Sequence, residues 1–539
     1  MTFPSGTNLF RTAMTLIVSV GLVFVFSGNP ATAQVTAYKQ AVAEAAASDD
    51  GIAAFYRSNG YQPIWTGKGE ADRARRAALI QALTGVERHG LPASRYPVDA
   101  LMAQMRDAHT TRDIGMVEVA LSRAFVTYAS DVQTGLLMPS KIDKGIARKV
   151  TYRDRNEYLT DLALSPNPSA YMRALPPVTA EYRALMKEKL RLEALMKSGG
   201  WGPKAASGKL KPGQSGAAVV SLRNRLIAMG YMTPNASFGY DKRIETAVQK
   251  FQLEHGLEAD GVAGKGTIDE INKPVSTRLK SVIVAMERER WLTRERGERH
   301  VLVNQTDFTA RIVDKGQITF QTRSVIGKNT NDRRSPEFSD VMEHMIINPS
   351  WHVPRSIVTK EYLPQMQNNP NAAGHLVLTD SRGRRVSREN VDFTQYTTRS
   401  FPFAMTQPPG GRNALGLVKF MFPNKHNIYL HDTPAKNLFT RESRAFSHGC
   451  IRLADPFDFA YALLAKQVDN PKEYFQSILK TRKETKVVLD QPVPVHLIYR
   501  TAFATNRSQI EFRRDVYGRD AKVWSALNQA GVVLSDVQG

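Results

Sequence analysis

Asn427 to Leu453 reads NIYLHDTPAKNLFTRESRAFSHGCIRL and contains the only cysteine of the 539-residue chain, Cys450. That cysteine closes the run Ser447-His448-Gly449-Cys450 and is followed by Ile451-Arg452, with a second histidine, His431, upstream. A nucleophilic thiol needs a base to take its proton and N–H groups to hold the oxyanion it creates. Gly449 directly before the thiol lets the backbone come close to a substrate. Ile428 and Leu430 alternate with Tyr429 and His431, so a strand is predicted with Tyr429 and His431 on one face. Asp432-Thr433-Pro434 ends the strand. The polar, basic segment 435–446 then loops out and returns Cys450 towards His431.

The arrangement His…Ser-His-Gly-Cys-x-Arg resembles the active-site signature of the L,D-transpeptidases, cysteine acyltransferases that crosslink peptidoglycan. Four contiguous residues and a distant histidine at a compatible spacing carry the likeness. It implies Cys450 as nucleophile and His431 as general base and acid. It also implies that the main-chain carbonyl of Asp432 orients His431, with the Asp432 carboxylate as the competing candidate. Gly449 and Cys450 would supply oxyanion N–H groups. Ser447, His448 and Arg452 would shape the site or bind substrate, Arg452 by pairing with a stem carboxylate. Tyr429 either lines the pocket or belongs to the core. Neither a metal nor an organic cofactor is required. A metal site built from His426, His431 and His448 is the alternative use of these histidines, but no CxxC or HExxH spacing accompanies them.

Composition narrows the partners. The formal net charge is +22 and the pI about 9.9. That balance suits any polyanionic surface, yet lysine and arginine are spread along the chain and no nucleic-acid motif is visible. An anionic cell envelope fits better than nucleic acid. Arg11, an apolar run from Ala13 to Phe26 and Ala31-Thr32-Ala33 read as an export signal, residues 1–33, cut after Ala33. An uncleaved anchor is the alternative, and it would be the only membrane contact. The expected location is the periplasm or cell envelope. One cysteine excludes an internal disulfide and leaves a free thiol in an oxidising compartment.

Residues 34–203 read as helical. Apolar spacing predicts helices over 38–54, 117–132 and 178–197, with an aromatic turn at Phe55 to Trp65. The turn and Asp131-Val132-Gln133-Thr134-Gly135 resemble the helical scaffold of the larger L,D-transpeptidases. Residues 209–272 form a compact unit. Val219, Leu222, Leu226 and Met229 mark one helix face, and Ile244, Ala247, Val248 and Phe251 a second. Thr267 and Glu270 suggest a capping box before a third helix. The unit resembles the three-helix peptidoglycan-binding domain, so glycan strands and tetrapeptide stems are the implied partners.

The catalytic domain is expected over 277–505: a helix at 279–291, then short strand-like runs at 300–304, 310–314, 317–326, 339–348 and 493–501. Val325 to Lys328, Ser335-Pro336-Glu337-Phe338 and Ile347 to Pro354 resemble the strands that lead to the active site in that family. The long polar stretch 355–412 is predicted as a capping insertion, and 506–539 as a C-terminal extension that wraps the domain. The expected fold is multidomain α+β: a helical scaffold, a three-helix module and a mostly-β, β-sandwich-like catalytic domain. The expected activity is formation of 3→3 crosslinks through a cysteine acyl-enzyme with release of D-Ala. An L,D-carboxypeptidase, or an enzyme attaching an envelope-protein acceptor to peptidoglycan, uses the same acyl-enzyme. A non-catalytic wall-binding scaffold is the remaining alternative.

Overall fold

A computed structural model describes residues 36–292, 296–505 and 509–534. The export-signal segment 1–33 lies outside them. Among the described residues no helix is long and apolar enough to cross a membrane.

The N-terminal part is helical. Helices Ala37–Ala46 and Asp50–Ser58 divide the stretch expected as one, because Asp49 caps the second by accepting from the Ile52 N–H. The long helix Thr111–Thr134 forms the spine. Its Glu118 is fully buried and pins the aromatic turn: it accepts from the N–H groups of Ile64 at 2.7 Å and Thr66 at 2.8 Å, and from Tyr56 Oη at 2.8 Å. A buried carboxylate is tolerated only with such a set of donors. Further on, Asp131 takes Tyr96 Oη at 2.7 Å, and Glu287 of helix Val275–Arg290 takes the Leu137 N–H at 2.8 Å.

The central unit has helices Ala217–Ala228, Lys242–Glu254 and Lys265–Ile271 around Leu222, Leu226, Val248 and Phe251. The capping box expected at Thr267 and Glu270 is absent. The third helix starts earlier, with Gly264 at its N-cap. Thr267 is buried inside it and accepts from Gln252 Nε2 at 3.1 Å, while Glu270 pairs with Arg278 at 2.8 Å. Tertiary partners took both side chains.

The C-terminal part carries strands β1 (Arg299–Asn304), β2 (Thr309–Asp314), β3 (Gln317–Gly327), β4 (Phe338–Ile347), β5 (Trp351–His352), β6 (Val377–Thr379), β7 (Arg385–Val386), β8 (Ala404–Gln407), β9 (Val418–Met421), β10 (Leu430–His431), β11 (Ala445–Ser447), β12 (Ile451–Leu453), β13 (Thr485–Ile498), β14 (Ala502–Ala504) and β15 (Ile510–Phe512). The main sheet runs β11-β3-β12-β10-β9-β4-β13-β1-β2, and β2 also pairs with β3. The mostly-β expectation holds, and its layering comes from one sheet that curls until its ends meet. Closure removes the open edges that an extended sheet would expose. Val301, Ile312, Met345, Phe420, Leu430, Ile451 and Val495 fill the core. Helix Pro456–Leu464 packs on it through Phe459, Ala460, Leu463 and Leu464.

Two further pieces bear on the site. Strands β5-β8-β6-β7 make a small separate sheet within 351–407, with its own apolar cluster of Val358, Leu363, Met366, Leu378, Phe393 and Phe401. The tail lies in the junction between helices: Phe512, Val523 and Leu527 pack with Leu185 and Leu192 of helix Ala180–Lys197 and with Leu279 and Val282.

Candidate active site

The site lies on the sheet face opposite the core. Leu430, Ile451 and Phe420 point inwards, so their neighbours Tyr429, His431, Arg452 and Lys419 point to the other side. Strands β10 and β12 run parallel, with Leu430 opposite Ile451 and His431 opposite Arg452. The Ile451 N–H donates to the Tyr429 carbonyl at 3.1 Å, which carries the ladder to the level of Cys450. Cys450, Tyr429, His431 and Arg452 therefore form four corners of one patch.

The sequence between Phe422 and Ile428 sets where the thiol points. Asn424 ties a turn by accepting from the N–H groups of His426 and Ile428 and donating to the Ile428 carbonyl at 2.7 Å. Asn427 sits in the left-handed region, φ 53°, a conformation asparagine tolerates. Its carbonyl accepts from Cys450 Sγ at 3.6 Å. Among the described residues no hydrogen bond joins the thiol to His431. Burial pushes the thiol up to about 11, opposed by hydrogen bonds from Tyr429 and the charge of Arg452.

His431 is buried. Its Nδ1 lies 2.5 Å from the Asp432 carbonyl, so that nitrogen carries the proton and Nε2 is left as the acceptor. Burial, then the charge of Arg452, holds the imidazolium down to about 3, against the carbonyls of Asp432 and Leu415. The Asp432 carboxylate is engaged elsewhere, by the Leu417 N–H at 2.9 Å and Lys436 Nζ at 2.7 Å. The main-chain group, not the carboxylate, contacts the ring.

The loop before the thiol differs from expectation at two residues. Ser447 is only 1% exposed, and its hydroxyl is used internally. It donates to the Cys450 carbonyl at 2.6 Å and accepts from the Gly449 N–H at 3.0 Å. Ser447 thus clamps the loop and does not face a substrate. The Gly449 N–H, expected as an oxyanion donor, is occupied, whereas the Cys450 N–H has no hydrogen-bond partner among the described residues. Gly449 itself has φ 119°, and a Cβ there would come within 3.2 Å of Ile428 Cδ1, so its conformation favours glycine.

Several contributors escaped the sequence. Ser335 Oγ donates to the Gly449 carbonyl at 2.6 Å and accepts from the Gly327 N–H at 2.9 Å. Tyr517, from the tail, donates through Oη to the Gly327 carbonyl at 2.5 Å and accepts from the Ser335 N–H at 3.2 Å. Glu361, in a π-type turn over Val358–Tyr362, lies 2.8 Å from His448 Nε2 and 2.7 Å from Arg333 Nη2. Such widened turns recur at functional sites. Tyr429 packs against both the main core and the 351–407 cluster. The Ser335-Pro336 pair and the lone charge of Lys419 in Val418-Lys419-Phe420-Met421 were the legible traces of these roles.

Comparison with known proteins agrees with this geometry. Residues 298–489 match the family described as "L,D-transpeptidase catalytic domain", 215–271 match "Putative peptidoglycan binding domain" and 50–188 match "Scaffold domain". A protein of Haemophilus influenzae named "Putative L,D-transpeptidase" is 29% identical over 225 residues, 41% of this chain and 45% of that protein. The match thus spans less than half of that relative. The L,D-transpeptidase structure of Stackebrandtia nassauensis is 17% identical, covering 55% of this chain and 96% of that one, with a TM-score of 0.21. That of Xylanimonas cellulosilytica is 13% identical, covering 55% and 100%, with a TM-score of 0.17. The C-terminal sheet domain belongs to the L,D-transpeptidase catalytic family. The chain as a whole joins that domain to a scaffold domain and a peptidoglycan-binding domain.

Proposed function

We propose that this protein is a cysteine acyltransferase of the cell envelope that forms 3→3 crosslinks between peptidoglycan stems. The single observation that carries it is the shared sheet face of Cys450 and His431, within a domain of the L,D-transpeptidase family. His431 Nε2 takes the thiol proton as Sγ attacks the carbonyl carbon between the L- and D-centres of a tetrapeptide stem. The Cys450 N–H, free of other partners, faces the oxyanion. Collapse of the tetrahedral adduct breaks the C–N bond. The proton on His431 passes to the leaving D-Ala amine, and a thioester remains. An acceptor amine then attacks the thioester while His431 takes its proton, and the thiol is restored.

The free enzyme is at rest in this scheme, since thiol and imidazole are both neutral and not hydrogen-bonded to each other. Catalytic hydrogen bonds often form only with substrate present. The 355–412 segment acts as a cap whose opening admits the polymer, and the 215–271 unit holds the chain on the wall. With water as acceptor the same thioester yields an L,D-carboxypeptidase, and with an envelope-protein amine a protein attachment.

Wild type and Cys450→Ala are incubated with disaccharide-tetrapeptide and the products weighed by mass spectrometry. A cysteine-dependent dimer that has lost D-Ala is expected. Cysteine-dependent tripeptide alone would move the assignment to hydrolysis. No cysteine-dependent product, with binding to sacculi retained, would leave a wall-binding scaffold.

A further inference from the structure

Two cations bracket His431 and neither has a carboxylate partner. His431 is paired across the sheet with Lys419 on β9 and with Arg452 on β12. Directly paired residues share a face, so Lys419, His431 and Arg452 form one row across the active face. The charges of both cations reach the ring, and that of Arg452 also reaches the thiol. The Arg452 guanidinium makes no hydrogen bond or ion pair among the described residues, and its Nε is buried without a partner. Lys419 Nζ has only the Ser350 carbonyl, at 3.5 Å. Glu484, the acid nearest in effect to Lys419, is itself bound by the Ser350 N–H.

This is not how the protein treats its other shielded arginines. Arg288 pairs with Glu337 and Asp520, Arg290 with Glu287, and Arg278 with Glu270. An uncompensated cation away from water is costly and is kept where an anion arrives. The anion must lie beside the reacting atoms, because Arg452 neighbours both Cys450 and His431. In a stem cut at an L,D bond, the nearest carboxylate is the C-terminal one of the leaving D-residue. It is separated from the scissile carbonyl by that residue's nitrogen and Cα alone.

We infer that Lys419 and Arg452 are specificity residues that read the free C-terminal carboxylate of the leaving D-residue from either side of His431. A stem extended by one more residue presents an amide there and leaves both cations unpaired. This rests on the acyl-transfer assignment above, and its test is chosen to be separable from it.

The probe is a tetrapeptide ending in D-Ala, as the free acid and as the C-terminal amide. Binding is measured by calorimetry to Cys450→Ala, which cannot acylate, and to the same protein carrying Arg452→Gln or Lys419→Met. The acid is expected to bind more tightly than the amide. Each added substitution should weaken the acid by roughly 10–100-fold, the range of a charge-assisted contact, and leave the amide unchanged. Arg452→Lys should recover part of the preference, which a merely structural role would not. Equal binding of acid and amide to Cys450→Ala, or equal loss of both in the variants, would overturn the inference. Turnover by wild type reports separately on acyl transfer, so failure of that assignment leaves the binding comparison decisive.

Discussion

Glu361 Oε1 lies 2.8 Å from His448 Nε2, joining the insertion to the residue two before the thiol. The same oxygen meets Arg333 at 2.7 Å. One carboxylate thus fastens the 351–407 unit to both walls of the catalytic loop. All three side chains are partly exposed, and contacts of this kind contribute about 0–1 kcal/mol each.

Glu361→Gln should therefore change the melting temperature little while freeing the insertion locally. Hydrogen exchange over 355–368 is expected to rise several-fold, with exchange in β12 and β13 unaltered. Unchanged exchange in 355–368 would show that the apolar contacts through Tyr429 hold the unit without the ion pair.

Ser335→Ala removes the donor to the Gly449 carbonyl and the acceptor of the Gly327 N–H, both buried. Stranded polar groups cost about 1–3 kcal/mol. A small shift of the loop is expected to slow acylation of Cys450 by about 10–100-fold, read by intact-protein mass spectrometry. Tyr517→Phe, one hydrogen bond further away, should slow it less. A Ser335→Ala protein that melts earlier yet acylates normally would confine Ser335 to stability.

The two reacting groups titrate far apart, with the thiol pushed up to about 11 and the imidazolium held down to about 3. Alkylation of Cys450 by iodoacetamide in the free protein should still be rising at about pH 9, past the ordinary thiol value. A plateau near neutral pH would reveal a preformed thiolate–imidazolium pair instead.

The same depression bears on acid stability. His431 is lowered from 6.5 in the unfolded chain, so its contribution is complete above that value and is lost as pH falls towards 3. His89 and His496, both held near 4 by burial, share the loss. The melting temperature should fall from pH 6.5 to 4, and His431→Gln should fall less steeply than wild type. Parallel curves would place the acid sensitivity elsewhere.

Beneath the site, Arg288 contacts Asp520 of the tail and Glu337 at the start of β4, both near 2.7 Å. Burial pushes Asp520 up to about 6 against the pull of Arg288, so the pair gains little from its charges. Removing one member is another matter, because Arg288 stays buried. Asp520→Ala is expected to cost about 3–5 kcal/mol, measured by urea unfolding. A loss under about 1 kcal/mol, the worth of an exposed pair, would mean that Glu337 suffices.

What the sequence determined was local chemistry. A lone cysteine after Ser447-His448-Gly449, a strand-like alternation ending in His431, and apolar stripes at helical spacing are written in neighbouring residues. Periodicity and motif report them without knowledge of the fold, and so the family and its scaffold, wall-binding and sheet parts were legible. Tertiary structure decided which groups are free. Ser447 and the Gly449 N–H satisfy each other, and Thr267 sits inside a helix because Gln252 claims its hydroxyl. Glu361, Ser335, Lys419 and Tyr517 reach the site from 89, 115, 31 and 67 positions away from Cys450. Such partners are chosen by strand register and by the burial of polar groups that must find a donor or acceptor. Register across a closed sheet is a property of the whole chain, so no stretch of residues announces it alone.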